Sequence, residues 1–188
     1  MRISISGPPG SGKTTICALV AKKLDCDYVL VGQIFRKMAS ERTVDLDTFG
    51  KLAEEDETID KELDSRMLAI AKADENIILE GRLTGSLLKS HKIPVFAVYV
   101  DADERVRAER IAKREGSAVE DVLKNMRARE KSEKKRYRAY YGVDPSDRSV
   151  YDLWIDSSEL TAEGVADAIV EKARKADVGD ACQGKASD

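Results

Sequence analysis

At 188 residues the chain is long enough for one well-filled core and too short for two full domains. Its 32 basic and 35 acidic residues leave a net charge of -3, which offers no overall attraction to nucleic acid or an anionic membrane, so any phosphate binding has to be local. Three cysteines without a C-x-x-C pair and a single histidine, His91, supply neither a zinc site nor a disulfide framework, and no apolar run approaches the length of a bilayer span. A cytoplasmic, reduced, monomeric protein with small-molecule partners is expected, with one domain over residues 1–175 and a disordered tail over 176–188.

Ile3 and Ile5 lie in a short strand-like run that enters Gly7-Pro8-Pro9-Gly10-Ser11-Gly12-Lys13-Thr14-Thr15, matching G-x-x-x-x-G-K-[ST] at every fixed position. Glycines let successive N–H groups converge on one anion, and the following helix points its positive end there. Lys13 adds a point charge for outer phosphates, and Thr14 offers a hydroxyl to Mg²⁺. Ile16, Leu19, Val20 and Leu24 then recur at helical spacing, so strand, loop and helix follow in the order that a phosphate loop needs.

Tyr28–Val31 reads as a second strand closed by Gly32. Residues 33–74 read as a charged helical insertion on the substrate side, with Asp45 as an N-cap and Ile59, Leu63, Met67 and Ile70 on one face. Ile77–Leu79 is a third strand running into Glu80-Gly81-Arg82. Ligands of parallel sheets gather beyond the carboxyl ends of the strands, so Glu80 and Arg82 should emerge beside the phosphate loop. Val95–Val100 is the longest apolar run, as expected of a central strand, and His91 before it reads as an exposed loop residue.

Two capping boxes, Asp101-x-x-Glu104 and Ser117-x-x-Glu120, announce a helical hairpin over 102–142, broken at Gly116. Arg107, Arg110 and Arg114 share a face of its first helix, whose apolar residues are few. The second helix turns basic from Arg127 through Arg129 to Arg136. Beside a phosphate loop, arginines on a poorly cored hairpin suit a lid over polyphosphate. Tyr137, Tyr140 and Tyr141 read as pins for its base. Leu153–Ile155 is a fifth strand, and Thr161 caps a last helix with Val165, Ile169, Val170 and Ala173 inward. The expected fold is therefore a three-layer α/β sandwich on a five-stranded parallel sheet, interrupted by a helical acceptor-side insertion and an arginine-rich lid.

Gly7–Thr14, Gly32-x-Ile34-Phe35-Arg36, Ala53–Asp56, Leu79–Arg82, Arg107-x-x-Arg110-x-x-x-Arg114-Glu-Gly116 and Arg136-Tyr-x-x-Tyr-Tyr-Gly142-x-Asp144, taken in this order, resemble the archaeal-type cytidylate kinases to about Lys175. The resemblance implies transfer of the γ-phosphate of ATP to CMP or dCMP with Mg²⁺. It implies that the loop, Gly7 to Thr15, holds ATP; that Thr14 and Glu80 serve the metal; that Arg36 and Arg82 grip the acceptor phosphate; and that Arg107, Arg110, Arg129 and Arg136 supply lid charge. Gln33 stands where related kinases usually carry Asp, which keeps hydrogen-bonding reach without the charge.

Other readings stay open at this point. AMP or a hydroxyl metabolite could be the acceptor, and a hydroxyl acceptor would call for a carboxylate base, for which Asp45, Asp56, Asp60 and Asp64 are available. The base readers are not evident, and Asp60, Asp64 and Arg66 are candidates by location alone. A nucleotide-switched regulatory or assembly ATPase is a further alternative, which the net charge of -3 and the lack of a basic tail disfavour.

Overall fold

In the structure, a computed structural model that describes residues 1–183, β1 (Ile3–Ser6) is buried along its whole length at the centre of a five-stranded sheet. It lies between β3 (Ile77–Glu80) and β4 (Phe96–Asp101), with β2 (Asp27–Leu30) and β5 (Leu153–Asp156) at the edges. Every pairing is parallel, so each return has to cross a face of the sheet, and the helices make these crossings. α1 (Lys13–Leu24) and α8 (Ala162–Gln183) supply Ile16, Val20, Val165 and Ile169 to a core with Ile5, Ile78 and Val100. α4 (Glu57–Ala73) and α5 (Thr84–Ser90) supply Met67, Ala71, Leu87 and Leu88 to a second core with Ile77 and Leu79. The alternation of Ile78 with Ile77 and Leu79 divides β3 between the two cores, as a strand covered on both faces requires.

The remaining helices form two excursions from this frame. α2 (Val31–Glu41), α3 (Leu46–Glu55) and α4 follow β2, and α6 (Glu104–Glu115) and α7 (Val119–Tyr141) follow β4. Each has a core of its own. Met38, Phe49, Ala53 and Ile59 pack together in the first, and Ala108, Ala112, Val122, Leu123 and Met126 in the second. The hairpin is thus better cored than its few large apolar residues suggest, because two alanines one turn apart admit the facing helix closely. Asp45 caps α3 as expected, its carboxylate accepting from the Thr48 amide at 2.8 Å.

The structure corrects several boundaries. α2 begins at the end of β2, so Gly32 lies in its first turn and does not close the strand. α5 went unread, since seven residues with two buried leucines are too few to show a period. The cap of α6 is Asp103, whose Oδ1 accepts from the amides of Arg105 at 2.8 Å and Val106 at 3.3 Å. Asp101 is still in β4, in register with Asp156 of β5, so the chain has not yet left the sheet where the first capping box was placed. Ser117 belongs to the wrap after α6, its amide on the Ala112 carbonyl, and Ala118 precedes α7 without a side-chain cap. α8 continues past Lys175 to Gln183, where a disordered tail was expected, and residues 184–188 of that tail lie outside the described residues.

α7 ties the excursions together. Its 23 residues span about 34 Å at the helical rise of 1.5 Å per residue. Tyr137 packs into the second sheet core, the Tyr140 hydroxyl donates to the carbonyl of Glu54 at 3.0 Å, and the Tyr141 hydroxyl donates to Asp64. The tyrosines therefore pin the hairpin both to the sheet and to the first excursion. Phe49, fully buried, centres the small core of that excursion. Phe49→Ala is expected to lower stability by about 3–5 kcal/mol in urea denaturation. An unchanged midpoint would mean that the first excursion does not depend on this core.

Candidate active site

The carboxyl ends of β1, β3 and β4 converge on the loop that opens at Gly7. The backbone passes so close to its neighbours there that side chains are excluded. A Cβ on Gly7, at φ 144°, would lie 2.1 Å from the Val100 carbonyl oxygen, and one on Gly10, at φ 79°, 2.6 Å from that of Arg107. The loop is thereby wedged between β4 and the first turn of α6. Ser11 Oγ donates to the Pro8 carbonyl at 3.1 Å, and Gly12 leads into α1 in a left-handed conformation.

Lys13 is buried, and its Nζ donates to the Pro8 carbonyl at 2.7 Å and lies 3.9 Å from Glu80 Oε1. Burial, followed by the Arg82 guanidinium, pushes this amine down to about 7, while Glu80 and Glu133 pull the other way. Thr14 Oγ1 donates to Glu80 Oε2 at 3.4 Å. A hydroxyl and a carboxylate at the mouth of the loop form a hard oxygen pair that fits Mg²⁺. Among the described residues no cluster of three histidine, cysteine or carboxylate side chains could hold a metal, so a metal here would draw its other ligands from phosphate and water.

On one side of the loop stand Arg82, Arg129 and Arg136. Arg82 donates through Nη1 to the Gly7 carbonyl and through Nε to Glu133 Oε2, both at 2.8 Å. Arg129 donates to the other oxygen of the same carboxylate at 2.9 Å. The Glu133 carboxyl stays below the usual carboxylate range: burial opposes this, and the two guanidinium groups outweigh it. Arg136 donates through Nη1 to both oxygens of Asp60 at 3.2 and 3.3 Å, and its Nε is buried without a partner. Asp60 is itself buried on α4, which raises its carboxyl despite Arg136. The loop, the end of β3, α4 and α7 thus contribute to a largely buried charged cleft lining.

On the other side the loop borders a cavity of about 340 Å³ lined by residues 10–16, Arg110, Arg114, Ser157 and Ala162. Arg110 donates to the carbonyl and hydroxyl oxygens of Ser157 at 2.7 and 3.2 Å. The Ser157 hydroxyl, in turn, lies 3.1 Å from the Ser11 carbonyl and 2.9 Å from that of Asp101.

Two arginines depart from the sequence reading. Arg107 is buried, with Nε on the Ala102 carbonyl at 3.0 Å and Nη1 on the Pro9 carbonyl at 3.1 Å and on Glu130. It ties the loop to the hairpin and does not share an open face with Arg110 and Arg114. Arg36 is exposed on α2, with no ion-pair or hydrogen-bond partner among the described residues. The sequence reading overlooked Glu130, Glu133 and Ser157. A signal for the first two existed, since they are the only acids in the basic run 127–136, and both prove to be partners of arginines from other elements.

The Asp64 carboxyl is raised to about 6, first by burial and then by Asp60, against the hydrogen bond from Tyr141. A carboxyl whose folded value exceeds its unfolded one adds stability at low pH and loses it as pH rises through the folded value. Asp64→Asn, which can still accept from Tyr141, is therefore expected to be more stable than the parent above about pH 6, by up to about 3 kcal/mol, with the difference largely gone near pH 4. Thermal denaturation at the two pH values checks this, and an advantage confined to acid would reverse the sign.

Residues 2–159 match the model of the cytidylate kinase-like family. The cytidylate kinase of Methanocaldococcus jannaschii is 47% identical over 88% of this chain and 93% of its own. That of Pyrococcus abyssi is 45% identical over 91% and 92%. In fold the chain is similar to the shikimate kinase of Acinetobacter baumannii solved with shikimate, with a TM-score of 0.59 at 17% identity over 93% of both chains. The chain belongs to the cytidylate kinase-like family.

Proposed function

We propose that the chain transfers the γ-phosphoryl group of ATP to the phosphate of CMP or dCMP. The observation that carries this reading is the cleft in which Lys13, Glu80, Arg82, Glu133 and Arg136 meet between the phosphate loop and the first excursion, in a chain 47% identical to a cytidylate kinase.

ATP lies with its triphosphate on residues 7–15 and its nucleoside toward Arg110, Arg114 and Ser157, where the cavity opens. CMP lies on the opposite side, its phosphate offered to Arg82, Arg129 and Arg136. The two nucleotides then meet end to end at Lys13, as in-line transfer requires. Thr14 and Glu80 would hold Mg²⁺, and the ion would supply charge neutralisation on the phosphates. Phosphate oxygen is already an anionic nucleophile, so no general base is called for. Lys13 and the three arginines neutralise the charge that spreads over the transferred group, and α6 and α7 close over it to exclude water. Residues 33–74 form the acceptor-binding insertion and 102–142 the lid of a monomer. Arg36 stands exposed on α2, and Gln33 on the same helix keeps hydrogen-bonding reach without a charge.

ATP-to-ADP turnover with Mg²⁺, measured separately with CMP, dCMP, UMP, AMP and GMP and without acceptor, is expected to rise far above the acceptor-free rate with CMP and dCMP. Equal rates in all tubes would remove the kinase reading. Arg82→Ala is expected to lower kcat/KM for CMP by about 10³-fold or more, on the scale of arginines that stabilise phosphoryl transfer, and to leave ATP binding within a few-fold. A near-normal kcat/KM would take Arg82 out of the acceptor site.

A further inference from the structure

We propose that Glu133 is an internal stand-in for the acceptor phosphate, holding Arg82 and Arg129 in place and releasing both when a phosphate takes its position. The inference rests on the acceptor-side reading above and assigns a positioning residue within it. Glu133 projects from α7 into the cleft and is buried. Its two oxygens serve two different guanidinium groups from two different elements, Oε2 the Nε of Arg82 and Oε1 the Nε of Arg129. A phosphate carries its oxygens in the same forked way and takes the same N–H donors. The Nε edges of both arginines are already taken, and a second point of Arg82 is fixed on the Gly7 carbonyl at 2.8 Å. Nor can the carboxylate simply share these donors with a phosphate dianion, because like charges at such range repel strongly out of water.

Its surroundings fit a group built to be exchanged. Glu133 acts on Lys13, so its charge sits within the field of the transfer point. Arg129 is 63% exposed at its side chain, so this half of the bridge can move without opening the core, whereas Arg82 is anchored to the loop. The carboxylate also answers a need of the empty site, since clustered guanidinium groups without a counter-charge would repel one another and Lys13. Glu133 therefore keeps the arginines in phosphate-binding geometry and competes with the phosphate for them.

The test compares Glu133→Gln, Glu133→Asp and, as a charge-matched control, Glu120→Gln, an exposed position on the same helix. Calorimetric titration with CMP and with inorganic pyrophosphate, without ATP, gives Kd, and steady-state assays give KM for CMP against kcat. If the arginines are engaged by Glu133 most of the time, the apparent Kd exceeds the intrinsic one by the inverse of their free fraction. Glu133→Gln is accordingly expected to bind both ligands about tenfold more tightly, with KM for CMP falling in step. Glu133→Asp is too short to bridge both guanidinium groups and should show a smaller gain, while the control matches the parent. Unchanged or weaker binding in both variants would overturn the proposal, for it would mean that Glu133 stays in place and only orients the arginines. Should Glu133→Gln fail to fold, Glu133→Asp decides alone. If CMP fails to bind any form and pyrophosphate still shows the gain, the CMP reading falls and the stand-in role survives.

Discussion

Positive charge held out of water without solvent to screen it is the constraint from which the rest of this structure follows. Lys13 and Arg107 are buried, and Arg82 and Arg136 keep only a fifth or less of their side chains exposed. Two like charges about 4 Å apart at an effective dielectric constant of about 20 repel by about 4 kcal/mol, comparable with the net stability of a small domain. The chain meets this by giving each cation a carboxylate from a different element: Glu80 for Lys13, Glu133 for Arg82, Asp60 for Arg136 and Glu130 for Arg107. Three of these four carboxylates come from outside the sheet, so the charge balance of the loop depends on α4 and α7 being docked.

That dependence gives α7 a part in each of the surrounding elements. Its first half packs on α6 through Val122, Leu123 and Met126, and its second half bonds to α3 and α4 through Tyr140, Tyr141 and Arg136. Between these halves stand Glu130 and Glu133, the partners of Arg107 beside the loop and of Arg82 at the end of β3. One helix thus packs on α6, bonds to the first excursion and holds the two arginines, Arg82 and Arg107, that bond to the loop carbonyls. A shift of α7 along its axis changes the environment of all three. Both excursions keep small cores of their own, while Met67 and Ala71 of α4 and Tyr137 of α7 join them to the sheet.

What the sequence discloses divides along the same line. The loop was legible from Gly7 to Thr15 because its function is local: successive amides, one lysine and one hydroxyl, all within nine residues. Glu80 and Arg82 were legible because a general rule about strand ends places them. The partner of Arg82 was not, since Glu133 lies 51 residues away and reaches it only through the docking of α7. Helical spacing showed that Arg107, Arg110 and Arg114 neighbour one another, yet spacing does not say which edge of that face turns inward. The fold buries Arg107, half-buries Arg110 on Ser157 and leaves Arg114 exposed. The capping boxes failed for a related reason. One more ladder pair, Asp101 with Asp156, holds the chain extended past the expected cap, so the sheet overrides a local preference of about 1 kcal/mol.

The same charge arrangement bears on why a phosphate, and not a hydroxyl, suits this cleft as the attacking group. A hydroxyl acceptor needs a base that is free to take a proton. Asp60 is engaged by Arg136, Asp64 by the Tyr141 hydroxyl, and Asp45 and Asp56 are spent capping α3 and α4. All four carboxylates that could have served are therefore engaged by other groups of the chain, and none stands free to take a proton. A site rich in cations and poor in free bases suits an acceptor that arrives already ionised. In such a site catalysis reduces to holding two sets of phosphates in line and in the dry, with the counter-charges already in position.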